Sequence, residues 1–440
     1  MNKSTILKGN IVTETAVLAD HCICIEQEKI QAIAKTPPDD NQPFRPGKNR
    51  FILPGFRDPH IHDIHGQLQA PFLTIKEIAE RLQKVMRALA QSGVTGVYMA
   101  TFGAPLEHLE TYCRGARLWM ENEENGLAGA KLLGVNIEGT FLNEECRGAQ
   151  PAEFCLIPTR DDCISALDRL HATGAVKLVN IAPDYGQPSL RTIQHAQQSG
   201  ILVGAGHTKC SADILREAFE HYGLQYMVHF TNGPTGQSFK PFGGGGAFEG
   251  ALGIPIVKEL VLDRYHVDER YVLDIIRRTE ELWGNDKMIV VTDSSFPIPG
   301  EIPDNEFLIG TTVAQKDASG RFCRSVAYSQ PDGTTIPAPD NTLCGSLLSM
   351  DKAFGNLATL FTSDIRGHWF EHPALPLDQA VVKAARLCST NQAILDGHST
   401  HTGSIAVGKD ADLVIGSLES QEGRYAFHVE TVWVHGEPVI

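Results

Sequence analysis

Residues 51–66 read FILPGFRDPHIHDIHG, and the rest of the chain is best read outward from them. The apolar opening predicts a β-strand over 51–56, and His60 and His62 follow it, one residue apart. In extended backbone, side chains i and i+2 point the same way, so two imidazoles can face one ion. A bare HxH pattern says little. The same pattern directly behind an apolar strand ending in PGF-x-D says far more, although ordinary surface or core histidines are the alternative. His65 can be read either way, as lining the same site or lying outside it.

Further strands are predicted over 94–101, 131–137, 176–182, 201–206, 226–229, 260–265 and 288–292, with helical stretches such as IKEIAERLQKVMRALAQSG and DERYVLDIIRRTEELWG between them. Apolar strands alternating with amphipathic helices define an α/β chain with a parallel sheet. Eight such units match a closed (β/α)8 TIM-type barrel, whose site residues sit at the C-terminal ends of strands. His60 and His62 follow the first strand, and Glu138 ends the third. His207 ends the fifth, His229 the sixth, His266 the seventh and Asp293 the eighth. Random placement would put some of these on helices. Short strands broken by turns occupy both termini, so 1–54 and 400–440 are expected to form a small β-sandwich domain around the barrel of 55–399.

These residue types suit one chemistry. A carboxylate ending an apolar strand, as Glu138 does, is costly to bury unless it is paired or binds a cation. Glu138, His207 and His229 make a three-ligand set that leaves a position open for water. Asp293, in IVVTDSS, can take a proton from water and deliver it to a leaving amine. Ser211 is placed to cap the helix after His207. The glycine-rich segment 231–253 fits no nucleotide-binding pattern and suits a substrate loop, with Lys240 either its cation for an anionic group or a solvated side chain.

The chain has 440 residues, is 42% hydrophobic and carries a net charge of −15. This acidic balance, without basic runs, argues against nucleic-acid and anionic-membrane partners. No window reaches 18 uninterrupted apolar residues, and no signal-peptide pattern opens the chain. The ten cysteines are scattered without a CxxC pair, as expected of buried reduced thiols in a cytoplasmic enzyme.

PGFRDPHIH and GSIAVGKDADLV resemble the amidohydrolase superfamily. GVNIEGTFLN, GAGHTKC, VHFTNG, RYHVD, IVVTDSSFPIPG and NTLCGSLLSMDKAFGNL resemble the N-acetylglucosamine-6-phosphate deacetylases within it. The resemblance spans most of the chain. It implies hydrolysis of the acetamide of N-acetylglucosamine 6-phosphate or a close N-acetylhexosamine phosphate, on a divalent metal. Zinc is foremost, with iron, manganese or cobalt as alternatives, and one or two ions per subunit. It further implies primary ligands Glu138, His207 and His229, a second-metal role for His60 and His62, Asp293 as acid–base, and phosphate contacts from His266, Asn232 and Gly233. A homodimer acting on a small molecule is expected. Two positions depart from the family. Lys240 stands where an arginine commonly contacts phosphate, and a point charge replaces a bidentate fork. Gln150 stands where a histidine commonly polarises the acyl oxygen, so an amide N–H takes that place. The segment between Pro297 and Asn341 is longer than usual and is expected to reshape the pocket mouth. An amidohydrolase for another N-acyl or cyclic amide, or a non-catalytic sugar-phosphate-binding protein, are the alternative readings.

Overall fold

A computed structural model of the chain describes residues 4–35, 49–63, 73–157, 162–232, 244–309, 312–329, 333–338 and 342–440. Eight parallel strands form one sheet: β1 (Phe56–His62), β2 (Val94–Ala100), β3 (Lys131–Phe141), β4 (Val176–Ile181), β5 (Leu202–Ala205), β6 (Tyr226–Met227), β7 (Val257–Val261) and β8 (Met288–Val291). They neighbour one another in sequence order. The sheet closes on itself where the amide of Asp293 donates to the carbonyl of His60 at 2.9 Å and that of His62 donates to Ser294 at 2.8 Å. Asp58 reinforces the seam by accepting from the Thr292 hydroxyl at 2.6 Å. These closing bonds place His60, His62 and Asp293 side by side.

Helices follow the strands: α1 (Ile75–Ala90), α2 (Leu106–Met120), α3 (Asp162–His171), α4 (Gln187–Gln198), α5 (Ala212–Tyr222), α6 (Ala247–Leu252), α7 (Glu269–Trp283) and α8 (Met350–Phe361). Helix α1 shows why they form. Thr74 and Glu77 make a reciprocal capping box, and Ile78, Leu82, Val85, Met86 and Leu89 recur on the buried face. Ser211 caps α5 by accepting from the amide of Ile214, as its position in the sequence suggests.

The termini meet in a seven-stranded sheet, in which Leu413–Gln421 pairs with Arg50–Pro54 and Ser4–Val12 lies beyond it. Its own apolar cluster includes Ile11, Ile23, Ile52, Leu413 and Trp433. An insertion follows β8. Strands Phe307–Ile309, Thr312–Lys316, Phe322–Ser329, Thr335–Pro337 and Leu343–Ser346 form an antiparallel sheet. Phe307, Ile309, Ala314 and Cys344 from it pack with Phe102 and Phe296.

Several strand boundaries differ from expectation, among them that of β3, which runs through Glu138 to Phe141. The apolar run 51–56 serves two sheets: Arg50–Pro54 joins the terminal sheet, and a new strand starts at Phe56, so His60 and His62 lie within β1 rather than after it. The seventh strand is Val257–Val261 rather than 260–265. Lys258 and Glu259 look like exposed charges in the sequence, yet both are buried. Lys258 donates to the carbonyls of Ile256, at 2.8 Å, and Ile254. His266 therefore sits in the loop after β7.

Candidate metal centre and active site

The C-terminal end of the barrel brings the expected residues together around Glu138. This carboxylate is 2% exposed. Its Oε1 lies 3.1 Å from His229 Nε2, 3.3 Å from His207 Nε2 and 3.6 Å from His60 Nε2. Its Oε2 lies 3.3 Å from His62 Nε2. Asp293 Oδ1 approaches the same two β1 histidines, at 3.3 Å from His62 and 3.6 Å from His60. Two ligand triads result, His60–His62–Glu138 and Glu138–His207–His229, each with its ligand atoms within 4.8 Å of one another.

The residues fit a divalent cation. Two ligand atoms each about 2.1 Å from a tetrahedral ion lie about 3.4 Å apart, and the His–Glu138 separations of 3.1–3.6 Å bracket that value. The remaining ring nitrogens of His207 and His60 are tethered, as metal-ligating histidines generally are. His207 Nδ1 is 2.9 Å from the carbonyl of Cys146, and His60 Nδ1 is 3.0 Å from Glu259 Oε2.

Local backbone serves the same end. His207, His229 and Asp293 all adopt positive φ, at 48°, 26° and 47°. Such conformations are unusual for non-glycine residues and concentrate at functional sites. Gly139, after Glu138, has φ 90°, and a Cβ there would stand 2.2 Å from the amide nitrogen of Gly103. Only glycine permits that close approach.

Burial alone would strip protons from the histidines and add them to the carboxylates, but the cluster's mutual charges prevail. Against burial, Glu259 and Glu138 hold the His60 imidazole well above its ordinary range. Asp293 and Glu138 raise His62, and Glu138 raises His207. The carboxyl of Glu138 is correspondingly held far below the usual range, and that of Asp293 is also held below it by His266 and His62. A cation entering this cluster would take the place of protons.

The other expected residues are placed as follows. Gln150 lines the cavity. Its amide nitrogen donates to Glu138 Oε2 at 3.0 Å, and its oxygen accepts from Gly103 N at 2.9 Å. His266 is anchored by Asp263, with Nδ1 2.7 Å from Oδ2, and its Nε2 lies 3.5 Å from Asp293 Oδ2. Although burial opposes it, the hydrogen bonds His266 donates to Asp263 and Asp293 raise its imidazole to about 9. Asn232 also lines the cavity. Gly233, Lys240 and His65 lie outside the described residues. The cavity measures about 350 Å³, and Thr342, Leu343, Cys344 and Gly345 line it together with the barrel loops. The insertion after β8 thus contributes directly to its wall.

Residues the sequence reading passed over include Glu259, Asp263 and Asp184. Asp184 accepts from the Thr208 hydroxyl, from the amide of Lys209 at 2.8 Å and from Asn143 Nδ2 at 2.7 Å. It thereby ties the loops after β3 and β5 together. The one available signal was a charge inside an apolar run, as in VKELV for Glu259.

Fold and site together define a class: a (β/α)8 barrel with a cluster of histidines and carboxylates at its C-terminal end that could hold a metal ion. Within that class the chain is similar to N-acetylglucosamine-6-phosphate deacetylases. The enzyme of that name from Bacillus subtilis is 27% identical over 433 residues, 96% of this chain and 95% of its own length. The N-acetylgalactosamine-6-phosphate deacetylase of Escherichia coli O157:H7 is 25% identical, covering 97% of both chains. Among solved structures, the N-acetylglucosamine-6-phosphate deacetylase of Pasteurella multocida superposes with a TM-score of 0.74 at 21% identity over 99% of each chain. A mutant of the Mycobacterium smegmatis enzyme, in complex with N-acetyl-D-glucosamine-6-phosphate, gives 0.75 at 21% identity over 100% of each. These structures share the fold. No family model matches the chain. Among the described residues, no helix is long and apolar enough to cross a membrane.

Proposed function

We propose that this chain is a metal-dependent amidohydrolase that removes the acetyl group from N-acetylglucosamine 6-phosphate or a close N-acetylhexosamine phosphate. The observation that carries the reading is the Glu138-centred cluster with Asp293 beside it, 3.3 Å from His62. When bound, a divalent cation supplies Lewis acidity to water and to the acyl oxygen. Asp293, ionised and at the cavity wall, accepts the proton of the attacking water and returns it to the departing nitrogen. Gln150 spends one amide proton on Glu138 and offers the second to the acyl oxygen as negative charge develops there. His266, cationic near neutral pH, together with Asn232, Gly233 and Lys240, holds the phosphate.

Zinc is the proposed metal, with iron, manganese and cobalt compatible with the same ligands. Two triads sharing Glu138 support two ions per subunit. The likeness to the deacetylases supports a homodimer. Ten cysteines, none of them in a disulfide, support a reducing, cytoplasmic setting. Gln150 and Lys240 motivate a second reading in which the barrel cleaves a different N-acyl compound.

Acetate release from the 6-phosphates of N-acetylglucosamine and N-acetylgalactosamine tests the proposal, using metal-loaded and chelated protein. Metal-dependent release from either is the expected result. Absence of release from both, with metal bound, would move the assignment to another amide.

A further inference from the structure

Glu259 lies on β7, below the metal cluster, and is fully buried. Its Oε2 is 3.0 Å from His60 Nδ1 and accepts from the backbone amide of His229 at 2.9 Å. The neighbouring amide of Phe230 donates to the Glu259 backbone carbonyl at 2.8 Å. One side chain thus touches a histidine of one triad and the backbone of a histidine in the other. A carboxylate can only accept from His60 if Nδ1 carries the proton. That leaves Nε2 of the neutral ring as a lone pair facing Glu138.

We propose that Glu259 is a positioning residue of the metal centre, selecting the Nδ1–H tautomer of His60 so that its Nε2 ligates, and fixing the strained turn that presents His229. This inference rests on the reading of His60 as a metal ligand. Glu259 itself ligates nothing. Its carboxylate reaches the metal centre only through His60 and the chain at His229. The backbone link also explains why a carboxylate occupies this buried position: a leucine there would leave the His60 N–H and the His229 amide without an acceptor.

The test is zinc binding, measured by competition with a chromophoric chelator and by metal analysis, on the wild type, Glu259→Gln, His60→Ala and the double variant. Glu259→Gln should weaken the His60-bearing site about 10–100-fold, and His60→Ala should weaken it at least as much. In the His60→Ala background, the Glu259→Gln effect should shrink to about threefold or less, because the His60 contact is gone and only the link to the His229 amide, from which a glutamine oxygen can still accept, remains. An undiminished effect there, or none in the wild-type background, would overturn the inference while leaving His60 a ligand. A His60→Ala variant with unaltered zinc affinity and stoichiometry would instead remove His60 as a ligand, and this inference with it. If Glu259→Gln does not fold, the wild type still decides. In ¹⁵N-histidine-labelled, zinc-loaded protein, His60 protonated at Nδ1 supports the role, and protonation at Nε2 overturns it.

Discussion

At the start of β1, Arg57 meets Asp396 directly, and the Tyr98 hydroxyl donates to the same carboxylate at 2.9 Å. Near the end of the same strand, His60 and His62 meet Glu138 and Asp293 at 3.3–3.6 Å. Both ends bury charge, with the Arg57 and Asp396 side chains 5% and 4% exposed. At the first, opposite charges touch and neutralise each other within the chain, as a buried pair must. At the second, two carboxylates share a ring of histidines spaced for an ion, and the settlement of charge depends on protons or a cation taken from outside. The first arrangement is complete as folded. The second is poised to bind.

Four experiments would break or sharpen that contrast. Asp293→Asn should cut kcat by about 10²–10⁴-fold while metal analysis shows the ions still present. A rate near that of the wild type would remove Asp293 from proton transfer. Asp396→Ala should leave Arg57 buried and unpaired, lowering stability in urea titrations by about 3–5 kcal/mol, while kcat of the folded protein stays the same. An equal loss of kcat would mean that the two ends are coupled.

The third experiment is a pH series. Raised imidazole pKa values mean that His60, His62 and His207 keep protons above pH 6.5 in the metal-free protein. Zinc affinity should therefore climb with pH from there, by about tenfold per unit for each proton displaced. The other end responds in acid. Burial opposes it, but His398 and Arg57 depress the Asp396 carboxyl. Its contribution is therefore present above the unfolded value of about 3.9 and lost as pH falls below it. Calorimetry of the metal-free protein checks that window; loss of this contribution at neutral pH would contradict the assignment. The smallest expected effect belongs to Lys240→Ala. It should raise KM for a phosphorylated substrate by about tenfold, the order of one charge-assisted hydrogen bond, and leave KM for its unphosphorylated counterpart alone. Equal effects on both would take Lys240 out of phosphate recognition.

Much of the site could be read from the sequence because its residues obey local rules. HxH on extended backbone faces one way. Glu138, His207, His229 and Asp293 each interrupt or end an apolar strand, where a polar side chain needs a purpose. The barrel was legible from the same alternation of strand and helix. The seventh strand was misplaced because Lys258 and Glu259 have burial partners, the carbonyls of Ile254 and Ile256 and the histidines, that lie on the same loop or on other strands. A period-based reading counts such charges as exposed. Gln150 was legible as a site residue, but its hydrogen bonds to Glu138 and Gly103 were not.

The sequence by itself determined the eight-unit alternation, the identity of the metal-capable residues and their positions near strand ends. Each of these follows from side-chain type and short-range spacing. Only the tertiary structure decided that closing β1 against β8 sets His60 and His62 beside Asp293, that one carboxylate serves both triads, that the insertion after β8 walls the cavity, and that Glu259 stands behind His60. Those facts join residues that can lie well over two hundred positions apart in the chain. Barrel closure and close packing create such neighbours, and no local pattern encodes them.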